Sequence, residues 1–221
     1  MKIFLDTANL QLIKEYNEMG LVDGITTNPT LLAKENNDPI EIMKEIVRLV
    51  KGPVSLEVVS QDYEGMIDEA HRLKKFGENV VVKIPMTSNG LKAIRRLKED
   101  HIDTNCTLVF SSNQAILAAK SGARYVSPFI GRLDDAGHKG MNLIKEIVEI
   151  FKNYNFDTEV IVASVRHPLH VISAARIGAD IVTLPPDVLA KMLKHPLTDK
   201  GLDTFNSDWE KVKKTYPNLI L

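Results

Sequence analysis

Lys83 stands inside Val80-Val81-Val82-Lys83-Ile84-Pro85, an ammonium group interrupting a short β-branched run. Low dielectric penalises the charged form of an amine, and a neutral amine attacks carbonyls to form a Schiff base. The competing reading is a lysine whose stem packs on apolar surface while its head reaches water, as suits Lys2 in Met1-Lys2-Ile3-Phe4-Leu5. Two carboxylates argue against that for Lys83. Asp6 ends one other β-rich run and Glu57 lies near the end of another, and burying ions is costly unless they serve one another or a reaction. Schiff-base formation must expel water from a carbinolamine, which needs a proton donor that can later act as base. Glu57, acting through a water held by Thr107, has the right chemistry. Breaking the adjacent carbon-carbon bond needs a base at a substrate hydroxyl, and Asp6 is the candidate.

Short neutral donors and acceptors suit a polyol, so Asn28, Asn105 and Ser127 are candidates to hold substrate hydroxyls; the alternative is that they satisfy one another. Arg132, in Phe129-Ile130-Gly131-Arg132, and Arg166, in Ala163-Ser164-Val165-Arg166, follow two further strand-like runs. Guanidinium forks match a phosphate dianion, and the competing reading is pairing with Asp134 or Asp135.

These residues need a frame that gathers them. Apolar, β-rich runs recur at Lys2 to Asp6, Gly24 to Asn28, Val54 to Val59, Asn79 to Ile84, Thr104 to Val109, Tyr125 to Phe129, Glu159 to Ser164 and Asp180 to Leu184. Helical spacing fills most gaps, for example Met66, Ile67, Ala70 and Leu73, then Met141, Ile144, Ile147, Val148 and Phe151. Asp38-Pro39, Ser111, Pro168 and Pro186 mark helix starts; Gly77, Gly122 and Gly178 mark stops. Alternating strands and helices predict either a closed (β/α)8 TIM barrel or an open doubly wound sheet. The turn after the first strand reads Leu5-Asp6-Thr7-Ala8-Asn9 with no G-x-G-x-x-G, and no phosphate-binding G-x-x-x-x-G-K-[ST] occurs, so the barrel is favoured. In a barrel the C-terminal strand ends share one mouth, and strand alternation puts Glu57, Lys83, Asn105, Thr107, Ser127 and Phe129 on the opposite parity to Leu56, Val82, Ile84 and Val126. The absence of a linker or composition break predicts one domain over 1–221, with 197–221 as a C-terminal helical appendage of the kind that packs on a neighbouring subunit.

The bulk properties are permissive. The 221 residues are 44% hydrophobic and 26% charged, ordinary for a globular chain, and a net charge of -1 offers no global field for nucleic acid or anionic membrane. One cysteine, Cys106, permits no internal disulfide and fits a reducing compartment; with no signal-like or membrane-length apolar stretch, a cytoplasmic protein is expected. His167 and His170 share a helical face, yet no third ligand completes a metal set, which also weighs against a metal-dependent barrel aldolase.

The run Gly24-Ile25-Thr26-Thr27-Asn28-Pro29-Thr30 resembles the signature of the transaldolase family. With it, in family order, come Leu5-Asp6-Thr7-Ala8, Val82-Lys83-Ile84-Pro85, Asn105-Cys106-Thr107-Leu108-Val109-Phe110, Ser127-Pro128-Phe129-Ile130-Gly131-Arg132 and Ala163-Ser164-Val165-Arg166. The resemblance runs from Met1 to about Trp209, and the length is similar to the small subgroup that also contains fructose-6-phosphate aldolases. It implies a (β/α)8 barrel with Lys83 as Schiff-base lysine and Asp6, Glu57 and Thr107 as acid-base and water-handling partners. It places Asn28, Asn105 and Ser127 at a dihydroxyacetone unit, Arg132 and Arg166 at the phosphate, and Ser164 and Phe129 among the substrate-binding residues. It further implies sugar-phosphate substrates, no metal or organic cofactor, and a homo-oligomer, pentamer or decamer. The implied reaction carries a dihydroxyacetone unit from sedoheptulose 7-phosphate to glyceraldehyde 3-phosphate. The aldolases of the subgroup carry Gln in place of Glu57 and Tyr in place of Phe129, so both positions resemble the transaldolases. A non-catalytic sugar-phosphate-binding barrel is the expectation that would remain if no Schiff base formed.

Overall fold

The computed structural model describes residues 1–217 and Leu219. Eight parallel strands close into a barrel in sequence order: β1 (Lys2–Asp6), β2 (Gly24–Thr26), β3 (Val54–Glu57), β4 (Val80–Pro85), β5 (Thr104–Val109), β6 (Tyr125–Pro128), β7 (Glu159–Val162) and β8 (Ile181–Leu184). β8 returns to pair with β1, aligning Lys2 with Ile181 and Leu5 with Leu184. Between and after the strands lie α1 (Leu10–Glu18), α2 (Pro29–Leu32), α3 (Pro39–Leu49), α4 (Tyr63–Lys74), α5 (Ser88–Glu99), α6 (Ser112–Ser121), α7 (Ile130–Asp135), α8 (Gly140–Tyr154), α9 (Pro168–Ile177), α10 (Pro186–Leu193) and α11 (Pro196–Thr215). This is the (β/α)8 barrel with an extra C-terminal helix that the alternation predicts.

Strands covered on both faces read as nearly unbroken β-branched runs, and alternation then sorts their side chains between two cores. Leu56, Val82, Ile84, Val126, Val162 and Val182 meet the helix stripes outside the barrel, such as Ile42, Ile46 and Val47 of α3 and Ile144, Ile147 and Phe151 of α8. Each such aliphatic side chain, fully buried, contributes about 1.5–3 kcal/mol. Phe4, Val81, Tyr125, Ile161 and Ile181 fill the interior below the site. Gly24 makes room for that plug: a Cβ there would come within 2.6 Å of the Phe4 ring.

Helix signals operate where the sequence puts them. Asp38 and Ser111 cap α3 and α6 through their side-chain oxygens, Pro168 and Pro186 open α9 and α10, and α6 and α9 end at Gly122 and Gly178; Gly77 falls after α4 has already stopped. Four strands end sooner than their apolar runs, β6 by a single residue, at Pro128. β2 stops at Thr26 because Asn28 turns out to cap α2, and Pro29 has no N–H to give a ladder. β3 stops at Glu57 because the Val59 and Ser60 N–H groups donate to Glu69 Oε2, at 2.7 and 3.1 Å. β7 stops at Val162, and two residues later Ser164, at φ +62°, turns the chain out of extended backbone. α11 buries none of its residues, and Leu197, Leu202 and Phe205 stand exposed along it. Among the described residues no helix is long and apolar enough to cross a membrane.

Candidate active site

Parallel register sets the polar layer above the apolar plug. Glu57 pairs with Lys83 across β3 and β4, and Lys83 with Asn105 across β4 and β5. The Lys83 side chain is buried, 4% exposed, with Nζ 2.9 Å from Glu57 Oε2 and donating to the Thr27 carbonyl at 3.0 Å. Those two contacts fix the amine while leaving it at the floor of a cavity of about 290 Å³ in the C-terminal mouth.

Two hydrogen-bonded networks flank the amine. On one side the Thr26 hydroxyl donates to Asp6 Oδ1 at 2.8 Å and lies 2.7 Å from the Thr183 hydroxyl, tying β1, β2 and β8 together. Burial pushes the Asp6 carboxyl above the ordinary aspartate value; the charge on Lys83 and the Thr26 hydroxyl pull it back, and Glu57 adds to the rise. A carboxylate so placed is a stronger base than one in water. On the other side Ser127 donates to Asn105 Oδ1 at 2.8 Å, and Asn105 Nδ2 to Ser55 Oγ at 3.2 Å, so these three satisfy one another as the plainer reading allowed.

Thr107 lies one inward position beyond Asn105, next to a shift of register where Leu108 takes φ +59°. Its hydroxyl is buried, and among the described residues it is the buried side-chain oxygen left without a partner. Such an atom is costly to leave bare and suited to hold a water. Cys106, beside it on the outer parity, is inert: burial pushes its thiol up to about 12.

The rim comes from the loops after β2, β6 and β7. Asn28 lines the cavity although its Oδ1 accepts from the Leu31 N–H at 2.9 Å, which leaves its amide hydrogens for a ligand. Phe129 lines it too, stacked edge-on against Phe110, with the Arg132 guanidinium over its ring at 5.0 Å. Arg166 Nη2 contacts Asp135 Oδ2 at 2.7 Å, so the carboxylate partner weighed for it exists. Both side chains are half exposed or more, and an exposed pair is worth about 0–1 kcal/mol, weak enough for a phosphate to compete. Gly131 allows the β6 and β7 loops to touch, since a Cβ there would stand 2.1 Å from the Ser164 carbonyl oxygen and 2.7 Å from Arg166 Nε.

Of the residues singled out in the sequence, Asp6, Asn28, Lys83, Ser127, Phe129, Arg132, Ser164 and Arg166 line one cavity. Glu57 reaches it through Lys83 and opens instead to a neighbouring hollow with Ser60, Thr87 and Asn89, while Asn105 and Thr107 lie buried behind. Thr26, Thr183 and Lys34 also line the site and had been given no role. Thr183 carried a signal: it is the polar interruption of Ile181-Val182-Thr183-Leu184, as Lys83 is of its own strand. Among the described residues no group of three or more His, Cys, Asp or Glu side chains is placed to hold a metal ion.

Comparison with known proteins finds relatives along nearly the whole chain. The family model described as Transaldolase/Fructose-6-phosphate aldolase matches residues 3–216. A probable transaldolase of Nitrosopumilus maritimus is 64% identical over 220 residues, covering 99% of both chains. One from Aquifex aeolicus is 62% identical, covering 96% of this chain and 98% of its own, and one from Methanococcus maripaludis 60%, covering 95% and 98%. Among solved structures, a thiamine phosphate pyrophosphorylase from Pyrococcus furiosus superposes with a TM-score of 0.58 at 18% identity over 83% of this chain and 85% of its own, a likeness of fold alone.

Proposed function

This chain belongs to the transaldolase/fructose-6-phosphate aldolase family, and within it we propose that it is a transaldolase working through a Schiff base on Lys83. The observation that carries the reading is the buried amine held 2.9 Å from Glu57 beneath a mouth rimmed by Arg132 and Arg166.

Lys83 Nζ attacks the ketone carbon of a ketose phosphate, and Glu57, through a water seated at Thr107, delivers the proton with which the carbinolamine oxygen leaves as water. Asp6 takes the proton of the hydroxyl two carbons from the imine. The bond between breaks, an aldose phosphate departs, and the electron pair enters an enamine on Lys83. An acceptor aldehyde then runs the steps in reverse. The imine is the electron sink, so the reaction needs no metal or organic cofactor. Asn28, Asn105 and Ser127 hold the dihydroxyacetone unit, Arg132 and Arg166 the phosphate, and Ser164, on the cavity wall, contacts the substrate. In substrate terms the unit passes from sedoheptulose 7-phosphate to glyceraldehyde 3-phosphate, giving erythrose 4-phosphate and fructose 6-phosphate, a step of the non-oxidative pentose phosphate pathway in the cytoplasm. Residues 1–221 act as one domain, and the exposed apolar residues of α11 join copies into a homo-oligomer, pentamer or decamer.

Phe129 favours transfer over simple aldol cleavage, because a phenyl ring has no proton to give the waiting enamine. Two measurements test the reading. Borohydride with fructose 6-phosphate should label one lysine irreversibly, and Lys83→Ala should abolish the label in a folded protein; labelling that survives reassigns the nucleophile. Turnover of fructose 6-phosphate should require erythrose 4-phosphate, and release of free dihydroxyacetone at full rate without it would make the enzyme an aldolase.

A further inference from the structure

The histidine pair that formed no metal set has another arrangement. His170 sits in the first turn of α9 and is buried, 7% exposed. Its Nε2 lies 3.1 Å from Asp134 Oδ2, and its Nδ1 accepts the backbone N–H of Arg166 at 3.3 Å. A ring nitrogen that accepts carries no proton, so these partners define one neutral tautomer: Nε2–H donated to Asp134, Nδ1 bare toward Arg166. Asp134 is held in turn by the Gly140 N–H, which donates to its Oδ1 at 2.8 Å. The adjacent Asp135 grips the Arg166 side chain. The end of α7 therefore holds Arg166 twice, at the guanidinium directly and at the backbone through His170. α7 also carries Arg132, so both rim arginines are referred to one short helix.

We infer that His170 is a positioning residue for the phosphate end of the substrate: its unprotonated Nδ1 fixes the backbone of Arg166, and protonation of the ring releases that loop. The inference rests on the reading of Arg166 as a phosphate ligand. Its chemistry is a donor meeting a donor. Once Nδ1 carries hydrogen it can no longer accept the Arg166 N–H, and that backbone group loses its partner. The segment is sensitive to such a loss, because Ser164 at φ +62° and the close contact at Gly131 leave it few ways to rearrange. The groups that act on the imidazole are His167, stacked on it with ring centroids 3.8 Å apart, Asp134 from α7 and Arg166 from the preceding loop. Burial, then His167, push the ring below the ordinary histidine value; Asp134 opposes them and Arg166 adds to the fall. The ring is therefore neutral at pH 7 and charges only on acidification.

The test compares His170→Gln, His170→Leu and Arg166→Gln with wild type, on a phosphorylated ketose donor and on the same ketose without phosphate. Glutamine can accept from Arg166 and donate to Asp134 but cannot be protonated. His170→Gln should keep the wild-type KM for the phosphorylated donor at neutral pH and lack the rise in KM expected of wild type as pH falls below the ordinary histidine value. The substrate phosphate itself titrates near pH 6, but it does so equally with every variant and cancels in the comparison. His170→Leu should raise that KM about tenfold, the size of one lost hydrogen bond, leaving kcat and the KM of the unphosphorylated ketose near wild type. Superimposable pH profiles for wild type and His170→Gln would overturn the inference, as would a His170→Leu effect equal on both donors. If Arg166→Gln raises the phosphorylated donor's KM and His170→Leu does not, the inference falls alone. If Arg166→Gln does nothing, the phosphate reading falls with it.

Discussion

At the N-terminal end of the barrel Glu159 accepts from Lys2 Nζ at 2.9 Å and from the Arg124 guanidinium, while Asp23 and Asp180 take the backbone N–H groups of Ile3 and Val160 at 2.7 and 2.8 Å. At the C-terminal end Asp6, Glu57 and Lys83 crowd a small volume with one close ion pair between them, a carboxyl raised by burial and, among the described residues, an unpartnered hydroxyl at Thr107. Both ends gather charges where strands begin or finish. Those at the N-terminal end are each matched by a neighbour, so they close the barrel. Those at the C-terminal end are left with unused capacity, which is what a reaction consumes. Size does not separate the ends: a wider hollow of about 450 Å³ lies at the N-terminal one, where Arg124 is already committed to Glu159 and to the Asp157 carbonyl.

The largest test of this contrast is at Glu57. Glu57→Gln keeps the shape and removes the exchangeable proton, so kcat should fall about a hundredfold or more, the ordinary worth of general acid-base catalysis, while thermal unfolding shows a folded protein. A kcat within a few-fold of wild type would make the Lys83–Glu57 pair structural like those opposite. Asp6→Asn is the next step down. It should lower kcat by at least about tenfold and raise unfolding stability by about 0.5–2 kcal/mol, since it removes a charge that burial disfavours. The sign follows from linkage. The folded-state value of Asp6 is raised, so its ionised form costs stability above that value, and the cost fades as pH falls through it. The gain in Tm should accordingly be greatest near about pH 8 and shrink toward about pH 4. A variant less stable than wild type at pH 8 would contradict it. Glu159→Gln is the smallest effect on catalysis and the reverse in kind: about 1–2 kcal/mol less stable, because Lys2 and Arg124 lose a partly buried partner, with kcat/KM unchanged. Loss of activity matching that of Asp6→Asn would dissolve the distinction between the two ends.

How far the sequence revealed this depends on distance along the chain. Alternation within a strand is local, so Lys83, Glu57, Asn105 and Ser127 could be set on the inner parity from their own neighbours, and Val81 and Tyr125 duly face inward below them. The strand ends were less legible, because what stops β3 is Glu69, a residue of the following helix reaching back to the Val59 and Ser60 N–H groups. The bond between the Thr26 and Thr183 hydroxyls joins residues 157 apart, which no local pattern encodes. His170 was hidden for another reason. Its spacing from His167 showed only a shared helical face with no metal set to complete, whereas the folded chain turns its two nitrogens toward Asp134 and the Arg166 backbone.

That Thr26 hydroxyl, shared between Asp6 on the first strand and Thr183 on the last, also has a bearing on protein synthesis. A nascent chain whose β8 is still within the ribosome holds Lys83, Glu57 and both rim arginines, yet β1 has one edge unpaired and Asp6 half of its setting. The two hydroxyls that complete the setting of Asp6 therefore come together only as the ring shuts.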